Sequence, residues 1–485
     1  MVNTASSKLP GALLCLLCAG QAQAGDWKFS PKVTLLERYT DNVTLVDAGK
    51  EASFITEVTP GFTLARKSAR ARVDIDYGLQ GLLYSHDTDA STLNNQLTSK
   101  AYLELLEDHF FLDVNARVGQ QSTSLLGRVG PDNYSLTGTG TRSEVRTLGV
   151  APSWRSRIGS MAQFDARWQL SYSDSDNSAA LSSTRGSNLS LGLSSGSAFH
   201  KTPWGLNYRI QHNDGTQTTR LSSLTGNVGY RVTPKVLMTL VVGNDDNNRQ
   251  GVGTFNQASG TFWTVGGSWA PTTRTKLDAT AGHRYNAQTF GLNFAHKTRK
   301  TNWALRYSED VMNVYSQLND LAAFDVYLCS GVEVPVPQGI APPDPACVGP
   351  QPAFLPVPSL INDVSLNKTW SGSVTWLLGK STLTGSLNQS RREVLATGVS
   401  DDRYSLSGNW NWRLNSRMTS NLILSSTQAN ASTNGTDTWS IGWVLSRKLS
   451  PDATGSVEVR HYEGTSNTAG EYKENSASVR LNMNF

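Results

Sequence analysis

Ala477-Ser478-Val479-Arg480-Leu481-Asn482-Met483-Asn484-Phe485 closes the chain with odd positions apolar, even positions polar and an aromatic residue last. A β-strand turns successive side chains to opposite faces. This stretch therefore reads as a strand with one face against an apolar phase and the other against water. The same pattern recurs upstream. Val73, Ile75, Tyr77 and Leu79 alternate with Arg72, Asp74, Asp76 and Gln80, and Leu112, Val114, Ala116 and Val118 alternate with Asp113, Asn115 and Arg117. Phe164, Ala166, Trp168 and Leu170 alternate with Asp165, Arg167 and Gln169, and Tyr404, Leu406, Trp410 and Trp412 with Arg403, Ser407, Asn409 and Asn411.

Turns such as 67–70, 108–109 and 378–381 are short, and they alternate with longer polar loops such as 40–52, 122–141, 245–259 and 313–363. Short turns on one side and long loops on the other are the asymmetry of a transmembrane barrel. The expected fold is all-β: a transmembrane antiparallel up-and-down β-barrel of about 22 strands (20–24), its even count placing both termini on the periplasmic side. Tryptophans near strand ends, including Trp27, Trp154, Trp269, Trp376 and Trp443, are expected to form interfacial girdles.

Composition agrees with that reading. Only 38% of residues are hydrophobic and mean hydropathy is −0.35. That is low for a soluble chain of this length, yet sufficient for a barrel in which alternate residues face water. Residues 1–24 read as a secretory signal peptide, with Lys8, an apolar core over 12–19 and Ala22-Gln23-Ala24 before Gly25, leaving 25–485 as the barrel. Outside the signal, Cys329 and Cys347 are the two cysteines, expected to form a disulfide worth about 3 kcal/mol. They lie in 313–363, a long extracellular loop with nine prolines between Pro335 and Pro358, read as a lid, a constriction or a protective cover. A net charge of +4 is too small to imply nucleic acid.

The expected lumen-lining charges are Arg72, Asp74, Asp76, Asp113, Arg117, Asp165, Arg167, Arg209, Arg284, Arg306, Arg403, Arg413, Glu458, Arg460 and Arg480, with Asp278 beside them. Arginine exceeds acid, so a pore would favour anions or hydroxyl-rich solutes; equally, the charges could pair across strands and stiffen the interior.

Two resemblances add context. The terminal strand, with Leu481, Met483 and Phe485, resembles the C-terminal signal by which outer-membrane barrels are recognised for assembly. Leu36-Glu37-Arg38-Tyr39-Thr40-Asp41-Asn42-Val43, Ile55-Thr56-Glu57-Val58-Thr59-Pro60-Gly61-Phe62, Asp76-Tyr77 and Leu106-Glu107-Asp108-His109-Phe110-Phe111-Leu112-Asp113 resemble the outer-membrane proteins of PEP-CTERM/exosortase systems. That resemblance covers about residues 27–120 by motif. It implies a cell outer-membrane location in a Gram-negative cell and a role in exopolysaccharide production or export and biofilm matrix. The implied partners are outer-membrane lipids, the barrel assembly machinery, and exopolysaccharide or its export machinery.

No enzyme is expected. The seven histidines are scattered, no Gly-x-Ser-x-Gly occurs, and no motif calls for a metal or cofactor. Thr40-Asp41-Asn42 reads as a turn that caps the first strand, and Pro60-Gly61 as a bulge or kink. The leading functional expectation is a conduit or assembly partner for exopolysaccharide; the alternative is a general diffusion porin for small polar or anionic solutes.

Overall fold

Each run of alternating residues forms one strand, and each strand hydrogen-bonds to its sequence neighbours. The structure is a computed structural model that describes residues 27–86, 90–122, 134, 142–176, 183–215, 218–250, 253–254, 258–313, 324–329, 332–337, 348–351, 363–431, 435–466 and 470–485. The expected signal peptide and Cys347 lie outside the described residues.

The strands are β1 (Trp27–Thr40), β2 (Ser53–Lys67), β3 (Ala71–Tyr84), β4 (Thr92–Leu106), β5 (Phe110–Ser122), β6 (Arg142–Ile158), β7 (Ala162–Ser175), β8 (Thr184–Ser195), β9 (Trp204–Asp214), β10 (Thr219–Thr233) and β11 (Val236–Arg249). They continue with β12 (Gly260–Thr272), β13 (Thr275–Arg284), β14 (Ala287–Lys297), β15 (Thr301–Met312), β16 (Ser365–Leu378), β17 (Ser381–Val394), β18 (Ser400–Arg413), β19 (Met418–Ala431), β20 (Gly435–Lys448), β21 (Ala453–Ser466) and β22 (Gly470–Asn484). All pairings are antiparallel, and β22 returns to β1 from Lys32↔Asn484 to Thr40↔Ser476. The sheet is thus a closed barrel of 22 strands with both termini at its periplasmic end. Among the described residues no helix is long and apolar enough to cross a membrane.

The two faces separate as the alternation requires. Leu83, Val242, Leu387, Leu406 and Val479 are exposed on the outside, while Arg38, Glu57, Asp76, Gln211, Asp245 and Glu474 are buried on the inside. Exposed tryptophans mark a periplasmic belt at Trp27, Trp154, Trp269, Trp303, Trp376 and Trp412, and a second belt at Trp263, Trp370 and Trp439. A ring of this strand number, with strands about 4.8 Å apart and tilted by about 40°, is about 40 Å across at the backbone.

Local sequence sets the irregularities. The β2–β3 ladder skips Thr59 and Pro60, because proline brings no N–H to it. A Cβ on Gly61 would meet the carbonyl oxygen of Tyr77 at 2.2 Å, so only glycine fits there. Tyr285 and Asn286, both at positive φ, turn β13 directly into β14 with Arg284 opposite Ala287.

The proline-rich loop, read from sequence as non-strand, contains three short strands, Phe324–Cys329, Val332–Pro337 and Val348–Gln351, forming a separate sheet. Pro335 and Pro337 are tolerated because their strand lies at an edge of that sheet. Leu328 pairs with Val348, so the strand ending in Cys329 lies beside the strand that starts one residue after Cys347.

Two outcomes follow from this architecture. Leu406→Arg, facing lipid, lowers folding stability by about 2–4 kcal/mol, whereas Ser407→Arg, facing the lumen one residue on, costs under about 1 kcal/mol. Urea titration of refolding into vesicles separates them, and equal costs would contradict the assigned faces. For the Cys329–Cys347 pair, alkylation of the unreduced mature protein is expected to label no thiol and to label two after reduction; two free thiols without reductant would exclude the bond.

Candidate functional site in the lumen

The expected lumenal charges all fall on the strand face opposite the exposed apolar side chains, but the register distributes them unevenly. Around β21, β22 and β1–β3 they form a connected cluster. Glu458 accepts a hydrogen bond from Arg460 and lies 3.7 Å from Arg38, with Arg480 one lumenal rung away in register with Ser456 and Leu36. Lys32 Nζ reaches Asp76 Oδ1 at 2.6 Å. Arg72 donates to Asp74 at 3.2 Å nearer the periplasmic end.

On the next strands Arg167 pairs with Asp113, Asp165 stands in register with Arg155, and Arg117 is flanked by Thr98 and Thr147. Arg209 donates to Asn188 at 3.2 Å. Arg284 holds Asp245 through Nε at 2.8 Å and Nη2 at 3.1 Å, its guanidinium 4.4 Å from the centre of the Phe262 ring. Lys276 meets Asp278 at 3.0 Å. Arg306 faces Asn293 and Ser371 in register, Arg403 faces Ser390 and Ala429, and Arg413 faces Thr419 at the periplasmic end.

Partners that sequence reading missed, Lys32, Arg38, Asp245 and the Arg392–Asp401 pair, obey the same period-2 rule. Extending the alternation one residue pair further along β1, β11, β17 and β18 would have found them.

Between β16 and β20 the lumenal wall changes character. Ser373, Ser386, Ser407, Ser425 and Ser440 stand opposite one another across five adjacent strands. Ser386 and Ser407 are 2.5 Å apart through their hydroxyls, and Ser425 and Ser440 are 2.7 Å apart. The rung toward the mouth reads Ser371, Asn388, Ser405, Thr427 and Thr438; the rung toward the periplasm begins Thr375, Thr384 and Asn409. The serine row and the rung toward the mouth present only hydroxyls and amides; the rung toward the periplasm does so as far as Asn409 and runs on through Ile423 and Gly442, also without a charge.

The mouth is narrowed from two opposite sides. On one, the loop after β1 turns inward. Thr40 Oγ1 donates to Glu474 Oε1 at 2.7 Å, and Asp41 accepts from the backbone and side-chain nitrogens of Asn475, both at 2.7 Å. Asn42 Nδ2 donates to the carbonyls of Val46 at 2.6 Å and Lys473 at 2.9 Å, while its Oδ1 accepts from Val46 N at 3.0 Å. Val43 then packs with Leu36, Ile55, Leu82, Tyr84 and Tyr134, and Leu45, at φ 52°, packs with Tyr462 and Tyr472. Tyr134 is tied down by donation to Glu57 Oε2, by a 2.9 Å bond from Tyr84 Oη to its carbonyl, and by Arg38 lying 4.6 Å from its ring centre. Thr40-Asp41-Asn42, read from sequence as a cap on one strand, thus fastens the first loop across the β22–β1 seam.

About half a turn around the ring, the roots of the proline-rich loop close the other side. Asn313 accepts from Gln211 at 2.8 Å and donates to Thr219 at 3.2 Å, Asp363 accepts from Arg249 at 2.6 Å, and Val364 packs with Leu221 and Ala258. They cross above the tight Tyr285-Asn286 turn, where the rim is low.

Neither a protein-family model nor a curated protein matches the chain. Similar solved structures are barrels. The siderophore receptor PirA from Acinetobacter baumannii aligns at TM-score 0.50 and 8% identity, covering 96% of this chain and 81% of that one. A mutant of the ferric enterobactin receptor PfeA from Pseudomonas aeruginosa aligns at 0.51 and 11% over the same shares. The FrpB iron transporter from Neisseria meningitidis aligns at 0.50 and 10%, covering 94% and 81%. At these identities the likeness is one of fold. A closed 22-strand barrel with an apolar outer face and aromatic belts is a protein of the Gram-negative outer membrane.

The clasp has a measurable consequence. Asn42→Ala strands the Lys473 and Val46 backbone groups and is expected to cost about 1–3 kcal/mol. The effect should appear as faster proteolysis within residues 41–52 of the folded barrel, with the β-sheet circular dichroism unchanged; cleavage at the wild-type rate would show that the clasp does not hold the loop.

Proposed function

We propose that this chain is a non-enzymatic outer-membrane conduit for a hydroxyl-rich polymer, in keeping with the exopolysaccharide role implied by its sequence resemblance. The carrying observation is the uncharged serine row from Ser373 to Ser440 with the hydroxyl and amide rungs on either side. A sugar chain offers hydroxyls that donate and accept, and a wall of Ser, Thr and Asn can exchange with each of them in turn. Each contact is a neutral hydrogen bond, individually weak and many times repeated. Conduction needs such sites: favourable enough to admit the chain and weak enough to release it.

The paired charges elsewhere act mainly on the wall. Asp113–Arg167 ties β5 to β7 and Asp245–Arg284 ties β11 to β13, while Glu458, paired with Arg460 on its own strand, reaches Arg38 across β22. A 22-strand ring is also wider than the 16–18-strand porins that suffice for small solutes. The siderophore binding named for the similar receptors would call for a discrete ligand site, for which the serine row is too repetitive.

Single-channel recording in planar bilayers tests the proposal. Neutral oligosaccharides are expected to block current with longer dwell times than polyethylene glycol of matched size. Replacing Ser386, Ser407 and Ser425 together by Leu should shorten those dwells about tenfold, the loss of one to two kcal/mol of contact. If sugars and size-matched glycols block alike, the protein is a diffusion porin. A deletion strain with unchanged surface exopolysaccharide would separate it from export.

A further inference from the structure

The outward face of β15–β18 changes from apolar to charged at a single level. On β16, Trp370, Gly372, Val374, Trp376 and Leu378 face lipid, and the next outward position toward the mouth is Lys368. The stretch from Trp370 to Leu378 covers about 27 Å along the strand, or about 20 Å of bilayer at a tilt of about 40°, which nearly fills an apolar band of about 25 Å. Lys368 therefore stands at the headgroups of the outer leaflet.

Its cross-strand partner is Arg391. Two like charges directly opposite on adjacent strands repel. Neither makes an ion pair or side-chain hydrogen bond among the described residues. The register puts Glu309 opposite Lys368 and Asp402 opposite Arg391. Glu309 is engaged elsewhere, accepting from Tyr307 Oη at 2.6 Å and Thr289 Oγ1 at 2.9 Å. Asp402 makes no ion pair with Arg391 among the described residues, so two adjacent cations between the flanking carboxylates are left for an anion at the level where lipid phosphates lie.

Directly beneath lies a hollow in the lipid-facing wall, of about 620 Å³. Phe290, Leu292, Tyr307 and Trp370 rim it, and Ala279 and Ala281 form its floor. Tyr307 and Trp370 touch at 4.6 Å between ring centres, two residues below Glu309 and Lys368 respectively. Small residues between large aromatic ones leave a slot with the cross-section and polarity of an acyl chain.

We propose that Lys368 and Arg391 bind a phosphate of lipid A, the phosphorylated glycolipid of the outer leaflet, with one of its acyl chains in the hollow beneath them. Phosphate and chain together identify the source: a free anion would use the cations alone, and an unphosphorylated lipid the hollow alone.

Native mass spectrometry of the full detergent-solubilised barrel, titrated with lipid A, dephosphorylated lipid A or inorganic phosphate, tests this. Lipid A should bind the wild type about tenfold or more tightly than its dephosphorylated form, and Lys368→Gln with Arg391→Gln should remove that preference. Arg391→Lys should retain most of it, and Ala281→Trp, filling the hollow, should weaken both lipids. Heat-modifiable migration on gels checks that each variant is folded. Equal binding of the two lipids, full displacement by inorganic phosphate, or binding indifferent to the Gln pair would overturn the assignment. The lumenal Ser→Leu variants should leave lipid binding unchanged, so this site and the conduit stand or fall separately.

Discussion

Hydrogen-bond closure between β22 and β1 is the constraint on which everything else in this molecule depends. Backbone N–H and C=O groups inside a bilayer find no water, so an open edge would leave a row of them unsatisfied. The last strand must therefore return to the first, and it does so through nine register pairs from Lys32↔Asn484 to Thr40↔Ser476. Beyond the last of them, Asp41 N still donates to Asn475 O at 3.1 Å and the Asp41 carboxylate takes both nitrogens of Asn475. The seam is thus extended by side chains where the regular ladder ends.

Closure also decides what each face can be. Once the sheet is a ring, every residue belongs either to lipid or to the lumen, and the alternation of the sequence becomes a division of labour. Outside, the division yields aromatic belts and, above the outer one, the Lys368–Arg391 pair. Inside, it yields a wall of two kinds: charged rungs, many of them salt-linked, and the uncharged rungs midway along β16–β20. Charges that pair across strands stabilise the ring without advertising a ligand. The neutral rungs add little to stability beyond hydroxyl contacts, so they are the part of the wall left to act on a solute.

Much of this was legible in the chain. Strand number, antiparallel order and the lumenal side of Arg72, Asp113, Arg167 and Arg284 all follow from period-2 alternation, because a one-residue slip would put charge into lipid. The serine row was not legible. Ser373, Ser386, Ser407, Ser425 and Ser440 are unremarkable in five separate stretches and become one row only when four registers are set together. The same holds for Thr40-Asp41-Asn42, whose turn chemistry was evident while its partners, Lys473, Glu474 and Asn475, lie more than 430 residues away.

The sequence by itself determined the two-faced strands, their number and the end of the barrel at which the chain starts and stops, since each depends on local alternation and turn length. Tertiary structure alone decided which rungs align, which charges neutralise one another, and which loops bend over the mouth. Those depend on contacts between residues distant in the chain, and register between strands is fixed by packing of whole faces rather than by any one segment.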